Sequence, residues 1–129
     1  FTNRADSSIS VLDARSDTLI AKLESGGRFP IRVKFTPDGR EAWVSCLQSN
    51  EVVVFDARTR QKIATVAVGN APVGIQMAPD GKRAFVANTN DDLVTVIDVP
   101  ARKVLATFTT GNEPDGMAWA PAPKGTKAR

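Results

Sequence analysis

Three cations, Arg28, Arg32 and Lys34, stand close together in the first third of this 129-residue chain. Clustered guanidinium and ammonium groups bind anions, the guanidinium as a two-pronged donor and the ammonium as a point charge. Asp13, Asp56, Asp98 and the run Asn90-Asp91-Asp92 carry oxygens of the kind that hold hard cations such as calcium. Each of the three isolated aspartates opens a turn, where its carboxylate can accept a backbone N–H. The run is too short for a calcium loop and lacks a second, spaced carboxylate, so it reads as a solvated turn. Cys46 is the single cysteine, which excludes an internal disulfide and a cysteine-built metal site. No cation or helix terminus near it in sequence would activate its thiol. The chain has no histidine. That removes the commonest general base and the usual haem, zinc or copper ligand. The sequence therefore contains no catalytic set and no metal set, and implies no cofactor.

The elements that position these residues are set by a repeat. Pro30, Pro72 and Pro114 are spaced 42 and 42, as are Gly27, Gly69 and Gly111. Pro37-Asp38-Gly39 returns as Pro79-Asp80-Gly81, and Pro121 continues that series. A hydrophobic pair followed by aspartate recurs at Val11-Leu12-Asp13, Val54-Phe55-Asp56 and Val96-Ile97-Asp98. The first two of these aspartates are 43 apart, so one extra residue lies between Asp13 and Gly27. A fixed period of this size is the signature of stacked supersecondary units.

Each unit reads as four short strands. In the middle copy, Glu51 to Phe55 is a β-branched run, and Lys62 to Val68 alternates in polarity. Gly69-Asn70-Ala71-Pro72 breaks the ladder, because proline cannot donate to it. Gly74 to Ala78 follows as the innermost strand, then the Pro79-Asp80-Gly81-Lys82 turn and the strand Arg83 to Ala87. Strands rich in valine, isoleucine and alanine, with few charges, call for sheets covered on both faces. A β-propeller meets that demand by stacking four-stranded antiparallel blades around an axis. A sandwich would not require the period. The expected fold is all-β, an incomplete ring of three propeller repeats at about 1–46, 47–88 and 89–121, the last truncated before its final strand. Residues 122–129 form a tail.

Propeller ligands bind on loops at the rim or at the channel mouth. The loops here are Gly26 to Pro30, Gly69 to Pro72, with Asn70, and Gly111 to Pro114, with Glu113, joined by Cys46 to Asn50 and Asn88 to Asp92. Their glycine, proline and asparagine positions are turn chemistry. Positions where one copy breaks the pattern say more. Arg32 aligns with Gly74 and Gly116, and Lys34 with Gln76 and Ala118. Arg28, Arg32, Lys34, Asn70 and Glu113 are thus the candidate ligand or partner residues, with the three cations forming a basic patch near the channel mouth. The competing reading has the cations' stems packing against a neighbouring blade while their heads reach solvent or pair with a carboxylate such as Glu113. Trp43 and Trp119 are expected to fill the wedges between blades.

These motifs resemble the YVTN family of propeller repeats. The matching strand ends are Phe85-Val86-Ala87-Asn88, Trp43-Val44-Ser45-Cys46 and the shortened Phe1-Thr2-Asn3. The first copy departs from the family pattern at Cys46, where asparagine is usual. The resemblance implies a non-enzymatic binding or scaffold propeller of the periplasm or cell surface, with a protein partner on its rim. Related propellers also serve as parts of redox enzymes, including quinoprotein dehydrogenases and haem-d1 proteins. With no imidazole, this segment would be the wall of such a site, with catalytic groups elsewhere.

A formal charge of +3, spread along the chain, argues against nucleic-acid binding, which needs a basic stripe with interleaved aromatics. No run reaches the roughly 18 apolar residues of a membrane helix. Propellers with fewer than four blades leave wedges that twisted sheets cannot fill. The ring is therefore expected to close with further blades, from the rest of a longer chain or from other copies. Expressed alone, the segment should be oligomeric or insoluble, since an open ring exposes apolar faces and strand edges. A stable monomer in size-exclusion chromatography would contradict this.

Overall fold

A computed structural model describes residues 1–121, so the expected tail at 122–129 lies outside the described residues. Eleven strands run in sequence: β1 (Thr2–Asn3), β2 (Ser8–Asp13), β3 (Thr18–Glu24), β4 (Pro30–Phe35), β5 (Glu41–Cys46), β6 (Glu51–Asp56), β7 (Lys62–Ala67), β8 (Pro72–Met77), β9 (Arg83–Asn88), β10 (Leu93–Asp98) and β11 (Lys103–Thr109). The one helical turn among the described residues is a 3-10 segment, Thr89–Asp91. The strands form three antiparallel meanders, β1–β2–β3, β4–β5–β6–β7 and β8–β9–β10–β11. These are propeller blades. Two have four strands and the first has three.

Each blade takes its innermost strand from the segment after the Gly-x-x-Pro break. A copy bounded at 47 and 88 therefore gives its first two strands to one sheet and its last two to the next. Proline can open the inner strand because its missing N–H falls at the first ladder position. The third copy's counterpart of the inner strand Gly74 to Ala78, residues Gly116 to Pro121, forms no ladder. Its side chains have the right pattern, but no second strand lies beside it among the described residues.

Two apolar cores lie between consecutive sheets. Ile9 of the first sheet packs on Val44, Cys46, Val53 and Phe55 of the second. Trp43, Val52, Val54 and Val66 on the opposite face of the second sheet meet Ile75, Met77, Ala84, Val86 and Ile97 of the third. The middle sheet is thus buried on both faces, which explains its unbroken Val52-Val53-Val54 run. In the outermost strand β7, Ala64 and Val66 turn inward, and Ile63 on the other phase is exposed. Leu105 and Phe108 of β11 are exposed as well.

Polar links repeat with the same period. Thr2 Oγ1 donates to the Ile31 carbonyl (2.9 Å), and Ser45 Oγ to the Val73 carbonyl (2.9 Å), each tying one sheet to the next inner strand. The extra residue of the first copy is Gly26. Backbone bonds from Ser25, Val68 and Thr110 to the carbonyls of Ser7, Asn50 and Asp92 keep the three copies in register up to that point. Gly26 then takes a left-handed φ of 71°, absorbing the insertion.

Trp43 is fully buried, and its indole N–H donates to Glu41 Oε2 (2.9 Å). Trp119 instead remains 46% exposed, with its ring 6.0 Å from that of Phe85. The wedge expectation thus holds for Trp43 but not for Trp119, which no sheet among the described residues covers. Trp43→Ala should lower stability by about 3–5 kcal/mol, the cost of a large buried aromatic, and Trp119→Ala by far less. Equilibrium denaturation of both variants checks the contrast.

Candidate functional site

The inner edge of the second blade places the candidate cations. Arg32 pairs with Ser45 and Lys34 with Trp43 across the β4–β5 ladder. Ser45 and Trp43 face the third sheet, so Arg32 and Lys34 share that face on the innermost strand. Both are exposed. The Arg32 backbone N–H donates to Ser45 Oγ (3.2 Å), where the ladder shifts register between Pro30 and Arg32. Lys34 makes no ion pair or hydrogen bond through its ammonium among the described residues.

Arg28 is turned toward its own sheet. Its guanidinium donates to the Gln48 carbonyl (3.2 Å) and its backbone N–H to Ser49 Oγ (3.0 Å). Asn70, its counterpart, gives its backbone N–H to Asp91 Oδ2 (2.6 Å), and Glu113 gives its own to Asp92 Oδ1 (2.8 Å). The Asn90-Asp91-Asp92 run therefore spends carboxylate oxygens on loop backbone. The carboxylate that meets a cation is not Glu113 but Asp115, whose Oδ1 lies 3.7 Å from Arg32 Nη2. No sequence spacing singled out Asp115. The usable signal was Gly74, which aligns with Arg32 and lets a backbone pass close to β8.

The remaining candidates resolve into structure. Asp13 accepts from the N–H groups of Arg15 and Ser16, Asp56 from Thr59 and Asp98 from Ala101. The Arg15 N–H beside Asp13, and the Thr59 N–H beside Asp56, hold both carboxyls below the usual range. No group of three or more His, Cys, Asp or Glu residues converges as a metal site among the described residues. Two cavities lie away from these cations. One of about 330 Å³ at the opposite rim is lined by Asp38, Arg40, Glu41 and Asp80. The other, about 270 Å³, is an apolar groove between the first and second sheets, lined by Val11, Leu23, Val33 and Phe35.

Cys46 is buried, and a Cβ on Gly27 would stand only 2.8 Å from its sulfur. Burial, followed by the nearby Glu51 charge, pushes its thiol up to about 12. The usual value is near 9.0. The neutral thiol is therefore favoured by folding. Its contribution is complete below pH 9 and is lost as pH rises toward 12, because the unfolded thiol ionises first. Alkaline titration of stability should show this fall in the wild type and a smaller one in Cys46→Ala. Native Cys46 should also resist thiol reagents at pH 8 (by mass spectrometry).

Comparison with known proteins gives three findings. A family model described as the cytochrome D1 heme domain matches residues 1–78. The hydrazine synthase of Kuenenia stuttgartiensis is similar at 30% identity and a TM-score of 0.66, over 67% of this chain and 25% of that one. A dihydro-heme d1 dehydrogenase, NirN, solved in complex with DHE, superposes with a TM-score of 0.71 over 82% of this chain and 23% of that one; at 20% identity this likeness shows the fold alone. The chain thus spans about a quarter of the length of these two structures. No curated protein sequence matches it significantly.

Proposed function

The chain belongs to the cytochrome D1 heme domain family, and on that premise we propose that it is part of the propeller of a haem-d1-related redox protein, with the catalytic groups outside this segment. The observation that carries the reading is that the matched residues, 1–78, include Arg28, Arg32 and Lys34. The purely scaffolding role expected first has no finding behind it, and the haem-related alternative is the better supported of the two.

A haem brings an iron and peripheral carboxylates. For the iron, imidazole and thiolate are not on offer: the sequence has no histidine, Cys46 is a buried neutral thiol and Met77 is locked in the core between sheets, which leaves the half-buried Met117 as the one thioether that could serve. For the carboxylates the residues do fit. Arg32 and Lys34 are exposed cations on adjacent alternate positions of an inner strand, and a guanidinium can grip a carboxylate through two donors. In this reading Arg32 and Lys34 would hold the rim of an anionic tetrapyrrole, with Arg28, Asn70 and Glu113 shaping the loops beside it.

The finer assignments belong to the same proposal. The units are YVTN-like repeats within a longer ring, closed by the rest of a longer chain or by further copies. The location is periplasmic, following the family resemblance. No helix of the described residues is long and apolar enough to cross a membrane.

Visible absorption of the natively purified protein separates a haem-bearing ring from a bare scaffold. Titration with mesoporphyrin, against its dimethyl ester, tests the cations. Arg32→Gly with Lys34→Ala removes two charge-assisted contacts and should weaken binding of the free acid by about tenfold or more, leaving the ester unaffected. Unchanged affinity for the acid would remove Arg32 and Lys34 from the site.

A further inference from the structure

Resting on that reading, we infer that Asp115 is a built-in competitor for the anion site: seated against Gly74, its carboxylate occupies Arg32 until an anionic ligand displaces it. The placement of Asp115 is held by backbone on several sides. A Cβ on Gly74 would stand 1.7 Å from the Asp115 carbonyl oxygen, so only glycine allows the segment to lie where it does. Thr89 Oγ1 donates to the Pro114 carbonyl (2.8 Å), the Glu113 N–H binds Asp92 Oδ1 (2.8 Å), and Trp119 rests on Phe85. These anchors fix Asp115 on the inner side of the third sheet.

Arg32 comes from the second sheet and reaches across to it. The contact is 3.7 Å, and the two side chains are 54% and 56% exposed. Such a pair is loose, screened and weak. It is strong enough to bias where a guanidinium points and too weak to exclude a ligand with two oxygens in fork geometry. The period sharpens the point. Position 32 is arginine only in the second blade, and glycine at 74 and 116. Position 115 is aspartate only after the third blade, where Ile31 and Val73 stand earlier. Two departures from the repeat, one cationic and one anionic, thus meet each other.

The test is mesoporphyrin binding by the wild type, Asp115→Asn, Glu113→Gln and Arg32→Gly at low ionic strength. Asp115→Asn should bind about two- to fivefold more tightly, the range expected from releasing an exposed ion pair, and the gain should vanish in the Arg32→Gly background. Gly74→Ala, which must push the Asp115 backbone away, should reproduce the gain; if it fails to fold, the Asp115 arm stands alone. Equal or weaker binding by Asp115→Asn, with Arg32→Gly still weakening binding, overturns the competitor and leaves the anion site intact. The same gain from Glu113→Gln would mean generic charge relief and would also overturn it. Loss of any effect from Arg32→Gly would bring down both this inference and the site on which it rests.

Discussion

Each of the three Gly-x-x-Pro segments is tied to the blade before it through one backbone N–H, that of the residue preceding the proline. Phe29, Ala71 and Glu113 occupy that position with left-handed φ values of 58°, 55° and 51°. Non-glycine residues pay roughly 1–3 kcal/mol for such a conformation, and it persists only where surrounding contacts enforce it. The enforcing contact comes from the preceding blade. Ser7 Oγ, Asn50 Oδ1 and Asp92 Oδ1 accept those N–H groups at 3.3, 3.0 and 2.8 Å. The carbonyls of Phe29 and Ala71 then accept from Leu47 and Thr89 of their own blade. Phe29 and Ala71 are thus each held by two sheets, at the turn from which the next sheet departs. The acceptors Ser7, Asn50 and Asp92 are themselves left-handed, as are Asp17, Arg60 and Arg102 in the outer turns. The left-handed positions lie in the turns, while the strands supply the apolar faces.

That division explains what was legible in the sequence. Period, strand number and the covered faces came from valine runs and from proline and glycine punctuation, since burial and backbone restriction act on residue type directly. The phase of the sheets was harder. Strands that are neighbours in sequence on either side of a Gly-x-x-Pro break fall in different blades; the break marks the end of a ladder but does not say which sheet the next strand joins. Left-handed positions were hidden as well, because alanine, phenylalanine and arginine at those places carry no conformational signature.

The departure at Cys46 has a physical reason that single positions could not reveal. In the third blade the Asn88 amide donates to Thr95 Oγ1 (2.7 Å), and in the first the Asn3 amide donates to Ser10 Oγ (2.8 Å). The positions matching Thr95 and Ser10 in the second blade hold Val53. There the polar pair has been replaced as a unit by Cys46 and Val53, both fully buried in the core between the first two sheets. Removing donor and acceptor together avoids the penalty of a buried group left unpaired. Cys46 is accordingly a packing residue, in keeping with its raised thiol pKa.

The same logic separates Arg32 from the rest of the repeat. Cys46 and Val53 form a compensated exchange that leaves the interface apolar and closed. Arg32 and Asp115 are also paired substitutions, but they sit on the exposed inner edge, where an ion pair adds little stability. Packing does not require a cation there, since the equivalent positions are served by glycine. Nor does the seat of Asp115 require a carboxylate, because Gly74 accommodates its backbone whatever side chain follows. What the pair does is place a negative charge beside a guanidinium on the exposed inner edge of the sheets. A stability argument accounts for the geometry of Gly74 and fails to account for the two charges, and that remainder is what the proposed anion site would use.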